Sequence, residues 1–229
     1  MYFQAVAIDY DGTLARDGAV APQTLAALKK CKEGGRKLVL VTGRQVDDLR
    51  KAFPDFATFD LIVGENGAVI FNPATCEERA IAETPPQRLV QLLRERGVTP
   101  LSVGKCIVAT REPHEKTVLE TIRDLGLELQ IIFNKGAVMI LPAGVNKAAG
   151  LEAAALDLEL SLHNIVAVGD AENDFSFMRL CGCAAAVANA LPVIKDGADI
   201  RLSAENGEGV VELLDRLSSE DVGLIPARP

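Results

Sequence analysis

Carboxylates crowd together at two places in the chain, Asp9-Tyr10-Asp11-Gly12-Thr13 and Gly169-Asp170-Ala171-Glu172-Asn173-Asp174. Each cluster follows directly on a short apolar run, Val6–Ile8 in the first case and Ile165–Val168 in the second. Carboxylates at i and i+2 leave an extended segment on the same side, and the glycine after Asp11 lets the chain turn away at once. Such a pair suits a hard divalent cation held through oxygen. After a third apolar run, Leu38–Val41, stand Thr42, Gly43 and Arg44: a hydroxyl, bare backbone and a guanidinium, suited to the oxygens of a phosphate. Lys147 opens a helical pattern, where an ammonium and free helical N–H groups together favour an anion. Acids and bases in this arrangement point to a divalent cation beside a phosphate.

Taken singly, each motif has an ordinary reading. An Asp-x-Asp after a strand is a turn or a cap, Thr-Gly-Arg is a common loop tripeptide, Lys147 is a solvated helix start, and Asp174 suits the first turn of a helix. What sets them apart is shared context. All follow a strand or open a helix, and open parallel sheets collect their chemistry at the carboxyl ends of strands.

The elements that must position these residues alternate between short apolar runs and helical patterns, which predicts an α/β fold with a parallel sheet covered on both faces. Val6–Ile8, Leu38–Val41, Leu61–Val63, Ile165–Val168 and Ala184–Val187 read as buried strands. A helix is expected from Pro22 to Glu33, ended by Gly34-Gly35, and another after Arg44. The middle of the chain changes character: a helix from Pro85-Pro86 to Arg96, a strand over Lys105–Ala109, a helix over His114–Leu125, then strands Leu129–Phe133 and Ala137–Leu141. Between the last two, Asn134-Lys135-Gly136 reads as a hairpin turn on the tolerance of Asn and Gly for positive φ. This divides the chain into a Rossmann-like core, 1–82 and 145–229, interrupted by a small α+β module, 83–144. Residues from Ser218 to Pro229 are expected as a loose tail.

Composition bounds the function. The 229 residues carry 24 Lys plus Arg against 32 Asp plus Glu, a net charge of -8, which disfavours nucleic acid and anionic membrane surfaces as partners. No apolar run spans a bilayer and Met1–Ile8 has no basic start, so a cytoplasmic protein with neither membrane span nor signal peptide is expected. Five scattered cysteines read as reduced, buried thiols. His114 and His163 lie beside no Ser or Cys nucleophile, and no phosphate-binding loop of the Gly-x-x-x-x-Gly-Lys type occurs.

The series Asp9-Tyr10-Asp11-Gly12-Thr13-Leu14, Thr42-Gly43-Arg44, Asn146-Lys147-Ala148 and Gly169-Asp170-x-x-Asn173-Asp174, with Gly64-Glu65-Asn66-Gly67-Ala68 between, resembles the haloacid-dehalogenase superfamily of phosphohydrolases. Within it the chain is similar to Cof-type members with a type IIB cap, and its compact insertion is nearer to the sugar-phosphatase-like and phosphoglycolate-phosphatase-like ones. The resemblance implies that Asp9 is a nucleophile forming an aspartyl-phosphate and that Asp11 is the general acid, then base. It implies Mg²⁺ held by Asp9, the Asp11 carbonyl and Asp170, with Asp174 beside it. Thr42, Gly43, Lys147 and Asn173 are implied to bind the phosphoryl group, Arg44 to hold phosphate or leaving group, and the module over 83–144 to be a closing cap. Asn66, Arg111 and Lys135 are candidates for reading the substrate, because they are polar and flank cap elements. The expected partner is a small phosphorylated metabolite, the expected state a monomer or homodimer. Two other readings of the same core are a phosphotransferase or phosphomutase, and a non-catalytic phosphoacceptor.

Overall fold

The computed structural model describes residues 1–224. In chain order it contains β1 (Ala5–Asp9), α1 (Pro22–Glu33), β2 (Lys37–Val41), α2 (Val46–Ala52), β3 (Leu61–Gly64), β4 (Val69–Asn72), β5 (Glu77–Ala80) and α3 (Gln87–Glu95). Then come β6 (Ser102–Val103), β7 (Val108–Arg111), α4 (Glu115–Asp124), β8 (Leu129–Asn134), β9 (Ala137–Pro142) and α5 (Lys147–Asp157). The chain continues through β10 (Ile165–Gly169), α6 (Phe175–Leu180), β11 (Cys183–Ala186), α7 (Pro192–Gly197), β12 (Ile200–Arg201) and α8 (Asn206–Glu220).

An eight-stranded sheet runs in the order β12-β11-β10-β1-β2-β3-β4-β5. From β12 to β3 neighbouring strands are parallel; β4 and β5 then add an antiparallel edge. The α/β class is as expected, but the sheet is mixed. The turn at Glu65–Gly67 is too short for a crossover, so β4 folds straight back on β3. The five residues of β1 are all buried, as a central strand with helices on both faces requires. Its partners β2 and β10 lie on opposite sides of it, so the chain reverses its winding at β1. Loops after β1, β2 and β10 therefore open into one crevice at the carboxyl end of the sheet.

A second, four-stranded antiparallel sheet, β6-β7-β9-β8, has its own apolar cluster. Leu89 and Leu93 of α3, and Val118 and Ile122 of α4, pack on Val108, Val138 and Ile140. Residues of alternate parity, Ala109, Met139 and Leu141, join the main core instead, so period-two alternation splits this sheet between two apolar bodies.

Three expectations are corrected. The strand expected over Lys105–Ala109 begins only at Val108, because the Lys105, Cys106 and Ile107 amides are turned toward a carboxylate described below. The β8–β9 turn places Lys135 and Gly136 at positive φ (46° and 81°), while Asn134 stays in β8 opposite Ala137. The supposed tail is ordered as far as it is described: α8 runs to Glu220 and a 3₁₀ turn covers Asp221–Leu224, and only 225–229 of that segment lie outside the described residues. Of the cysteines, Cys76 is exposed and the other four are buried. Among the described residues no helix is long and apolar enough to cross a membrane.

The carboxyl-terminal segment is pinned by one side chain. Asp221 accepts from the Tyr2 and Phe3 amides at 2.5 and 3.3 Å and from Arg36 at 3.0 Å, and buried Arg36 also donates to the Leu217 carbonyl. Although partial burial pushes the other way, these donors hold the Asp221 carboxyl below its ordinary range. Its contribution is thus present at neutral pH and lost as pH falls through the lowered value. Asp221→Asn is expected to cost about 1–2 kcal/mol at pH 7. In urea titrations the gap to wild type should narrow below about pH 4, and a gap independent of pH would refute the ionic contribution.

Candidate active site

The loops after β1 and β10 and the first residue of α5 converge on one buried ammonium. Lys147, 1% exposed, donates from Nζ to Asp9 Oδ1 at 2.5 Å and to Asp174 Oδ1 at 2.6 Å. The other Asp174 oxygen accepts the amides of Asp170 and Ala171, both at 2.9 Å, which closes the loop after β10 on itself. Asp170 is fully buried and accepts from the Thr13 hydroxyl at 3.1 Å and from Lys135.

Oxygens of Asp9, Asp170 and Asp174 lie within 4.8 Å of one another. Burial, then Asp174 and Asp170, push the Asp9 carboxyl up to about 8 against the pull of Lys147. Burial likewise raises Asp170, with Lys135 opposing. The two carboxylates hold Lys147 charged against the opposing penalty of its burial. Three buried acids with one buried cation need further positive charge to ionise together, and an all-oxygen donor set of this kind fits a hard divalent cation.

How α5 comes so close is set by two glycines. A Cβ on Gly150 would stand 2.4 Å from Val63 Cγ1, and one on Gly67 1.9 Å from the Asn146 carbonyl oxygen. With neither side chain present, the start of α5 rests on the turn after β3, and the Asn146 side chain caps it by accepting from Ala149. That turn carries Asn66, buried in the left-handed region at φ 56°. Its Oδ1 accepts from Asn173 Nδ2 at 2.9 Å, and its own Nδ2 is buried without a partner. Thr42 is buried, its hydroxyl accepting the Arg44 amide and its carbonyl the Asn66 amide. Gly43 lies between them, its Cα turned toward Met139 of β9.

Asp11 is placed differently. Strand geometry ends at Asp9, so the period-two argument does not reach Asp11. Its carboxylate, 45% exposed, is gripped by Arg44 through Nε at 2.7 Å and Nη2 at 2.6 Å, while the guanidinium lies 5.0 Å over the Tyr10 ring. Lys135 is brought onto Asp170. Arg111 is not brought in: it is exposed at the end of β7 and makes no hydrogen bond or ion pair with the carboxylates.

Three positioning residues went unassigned in the sequence. Thr13 orients Asp170. Asn189 donates to the Gly12 carbonyl at 2.7 Å, holding the loop after β1 from the β11 side. Glu65, 3% exposed, accepts the amides of Lys105, Cys106 and Ile107 at 2.8, 2.7 and 3.1 Å and so ties the turn after β3 to the second sheet. Thr13 and Glu65 lay inside motifs and Asn189 just after the strand predicted over Ala184–Val187, but nothing local marks the partners of Glu65, forty residues away.

The description "haloacid dehalogenase-like hydrolase" matches residues 6–115 and 101–214. A phosphoglycolate phosphatase of Methanothermobacter thermautotrophicus is 28% identical over 222 residues, spanning 93% of this chain and 98% of that one. A phosphoglycolate phosphatase 2 of Saccharolobus solfataricus is 31% identical over 223 residues, with 95% and 94% covered. Among solved structures, a subclass IIB sugar phosphatase superposes with a TM-score of 0.77 at 18% identity, covering 94% of this chain and 99% of the other; at that identity the likeness is one of fold.

Replacing Glu65 by Ala strands three amide donors, of which those of Cys106 and Ile107 are buried, and should destabilise by about 3 kcal/mol. Glu65→Gln, which keeps one acceptor oxygen, should cost less. Chemical denaturation of both variants checks this, and equal losses would refute the amide-acceptor role.

Proposed function

The chain belongs to the haloacid dehalogenase-like hydrolases and is a phosphatase acting on small phosphorylated metabolites; from that premise we propose a Mg²⁺-dependent phosphomonoesterase that works through an aspartyl-phosphate. The substrate is a compact one, of the phosphoglycolate or sugar-phosphate type. The observation that carries this reading is the buried Lys147 between Asp9 and Asp174, with Asp170 beside them.

Asp9 is the nucleophile. It stands at the carboxyl end of the central strand, and the ammonium on its Oδ1 favours the ionised form needed for attack at phosphorus. As the ester P–O bond breaks, Asp11 gives its proton to the departing alkoxide oxygen; it then takes one from the water that attacks the aspartyl-phosphate, releasing phosphate and restoring Asp9. Arg44 orients the Asp11 carboxyl, keeping one of its two contacts while the oxygen of the other carries the proton to be delivered. Thr42, the Gly43 backbone, Asn173 and Lys147 bind the phosphoryl oxygens, and the unpartnered Asn66 Nδ2 is a further donor for them. Preorganised donors of this kind act on charge spread over the phosphoryl oxygens.

Asp9, Asp170 and the Asp11 carbonyl would hold the Mg²⁺, which supplies neutralising charge between carboxylates and phosphate. Asp174 is tied by Lys147 on one oxygen and by two backbone amides on the other, and we assign it to holding Lys147 and the Asp170 loop. Residues 83–144 act as a cap on the core formed by 1–82 and 145–229, excluding water and reading the leaving group through Lys135.

Asp9→Asn should lower phosphate release from p-nitrophenyl phosphate by ~10³-fold or more. Acid-quenched wild type incubated with labelled substrate should carry protein-bound phosphate that the variant lacks. Wild-type rates in Asp9→Asn would overturn the assignment of the nucleophile.

A further inference from the structure

The tip of the β8–β9 hairpin carries a residue that turn chemistry does not favour. Both central positions have positive φ, where Asn followed by Gly is preferred, yet the first is Lys135. A lysine held in the left-handed region costs roughly 1 kcal/mol more than a glycine there, so its side chain must serve another end. That end is visible. Lys135 Nζ is paired with Asp170 Oδ2, and it overhangs the nucleophile loop so closely that a Cβ on Gly12 would stand 2.6 Å from it. Lys135 is half exposed at 48%, whereas the carboxylate it reaches is wholly buried. The hairpin thus delivers a cation from the solvent side onto one of three buried acids that have only Lys147 as a buried counter-charge.

We propose that Lys135 is an exchangeable counter-cation and the specificity residue for the leaving group. It neutralises Asp170 until a divalent cation takes that carboxylate, and once freed it binds a carboxylate on the substrate's alcohol. The inference rests on the reading of Asp170 as a metal ligand.

Two lines of argument support it. The other Asp170 oxygen accepts from the Thr13 hydroxyl, which leaves the one Lys135 contacts for a divalent cation, and two cations on one oxygen repel, so hairpin contact and metal binding oppose each other reciprocally. A displaced Lys135 is still tethered at the hairpin tip above Gly12, at the mouth of the site. The neighbouring cations are engaged: Lys147 on Asp9 and Asp174, Arg44 on Asp11 at two points. The freed ammonium therefore presents the uncommitted positive charge that faces the leaving group. Phosphomonoesters whose alcohol bears an acid are matched to it, and those of neutral polyols are not. The same geometry makes loading of the metal and repositioning of the hairpin one linked event.

The test uses the full chain and its Lys135→Met and Lys135→Arg variants, with circular dichroism to establish that all three are folded. Calorimetric titration of the substrate-free proteins with Mg²⁺ alone should show Lys135→Met binding ~5-fold tighter or more, with Lys135→Arg close to wild type. At saturating Mg²⁺, the ratio of kcat/KM for 2-phosphoglycolate over glycerol 3-phosphate should fall ~10-fold or more in Lys135→Met, chiefly through KM for phosphoglycolate. Lys135→Arg should keep most of the ratio. Unchanged Mg²⁺ affinity, or an unchanged ratio, in folded Lys135→Met overturns the exchange. A wild-type protein that binds no Mg²⁺ yet hydrolyses both esters would instead overturn the metal reading on which the inference rests.

Discussion

The rest of the site depends on an ammonium that has no access to water. Lys147 is buried almost completely, and a lone buried charge of that kind is not tolerated. It stays charged because Asp9 and Asp174 lie against it, and it in turn opposes the burial that pushes the Asp9 carboxyl up. Removing any one member leaves the others uncompensated, the costly case for buried ion pairs. The constraint is geometric as much as electrostatic. Asp9 ends β1, Asp174 follows β10 and Lys147 opens α5, so the ion triad ties α5 to two strands that their own ladder already holds in register. Asp174 carries the constraint further, because its second oxygen holds the backbone that presents Asp170.

A second anchor of the same physical kind joins the two sheets. Glu65 belongs to the turn after β3, and the amides it receives belong to the segment between β6 and β7. Next to it Asn66 meets Asn173, so one three-residue turn touches both the loop after β10 and the second sheet. Gly67 completes it by letting α5 sit on its backbone. Glu65 thus anchors the smaller sheet at the start of β7, at the end of that strand away from the β8–β9 tip that carries Lys135.

Much of this was legible in the sequence because parallel strands oblige their chemistry to appear right after short apolar runs. Asp9, Thr42 and Asp170 could be located by that rule alone, and Lys147 by its place at a helix start. The α1 boundaries followed from Pro22 and Gly34. What could not be read has a common cause: contacts between residues distant in the chain. The amides of Lys105–Ile107 abandon strand geometry for a carboxylate forty positions away, so a β-favourable run misled. Asp11 looked equivalent to Asp9 until Arg44 drew it outward. The apolar face of α8 is local, but the turn after it is held at Asp221 by Arg36 and the first residues of the chain, and local composition carries no trace of those partners. Lys135 at positive φ is a local preference overridden by a charge on another element.

The acid excess of the whole chain, a net -8, now has a definite relation to its function. Long-range attraction of an anionic substrate is not available to such a surface, and at physiological salt it would be screened within about 8 Å in any case. Recognition must therefore come from cations fixed at short range in a desolvated crevice, where the effective dielectric is low and each one counts for more. Lys147 meets that need by being buried, but its charge is already matched by Asp9 and Asp174. A dianionic phosphate can enter only if further positive charge arrives with it or before it. A site built from three buried carboxylates and one buried ammonium leaves little positive charge for a dianion, and that shortfall is what the proposed divalent cation would make good.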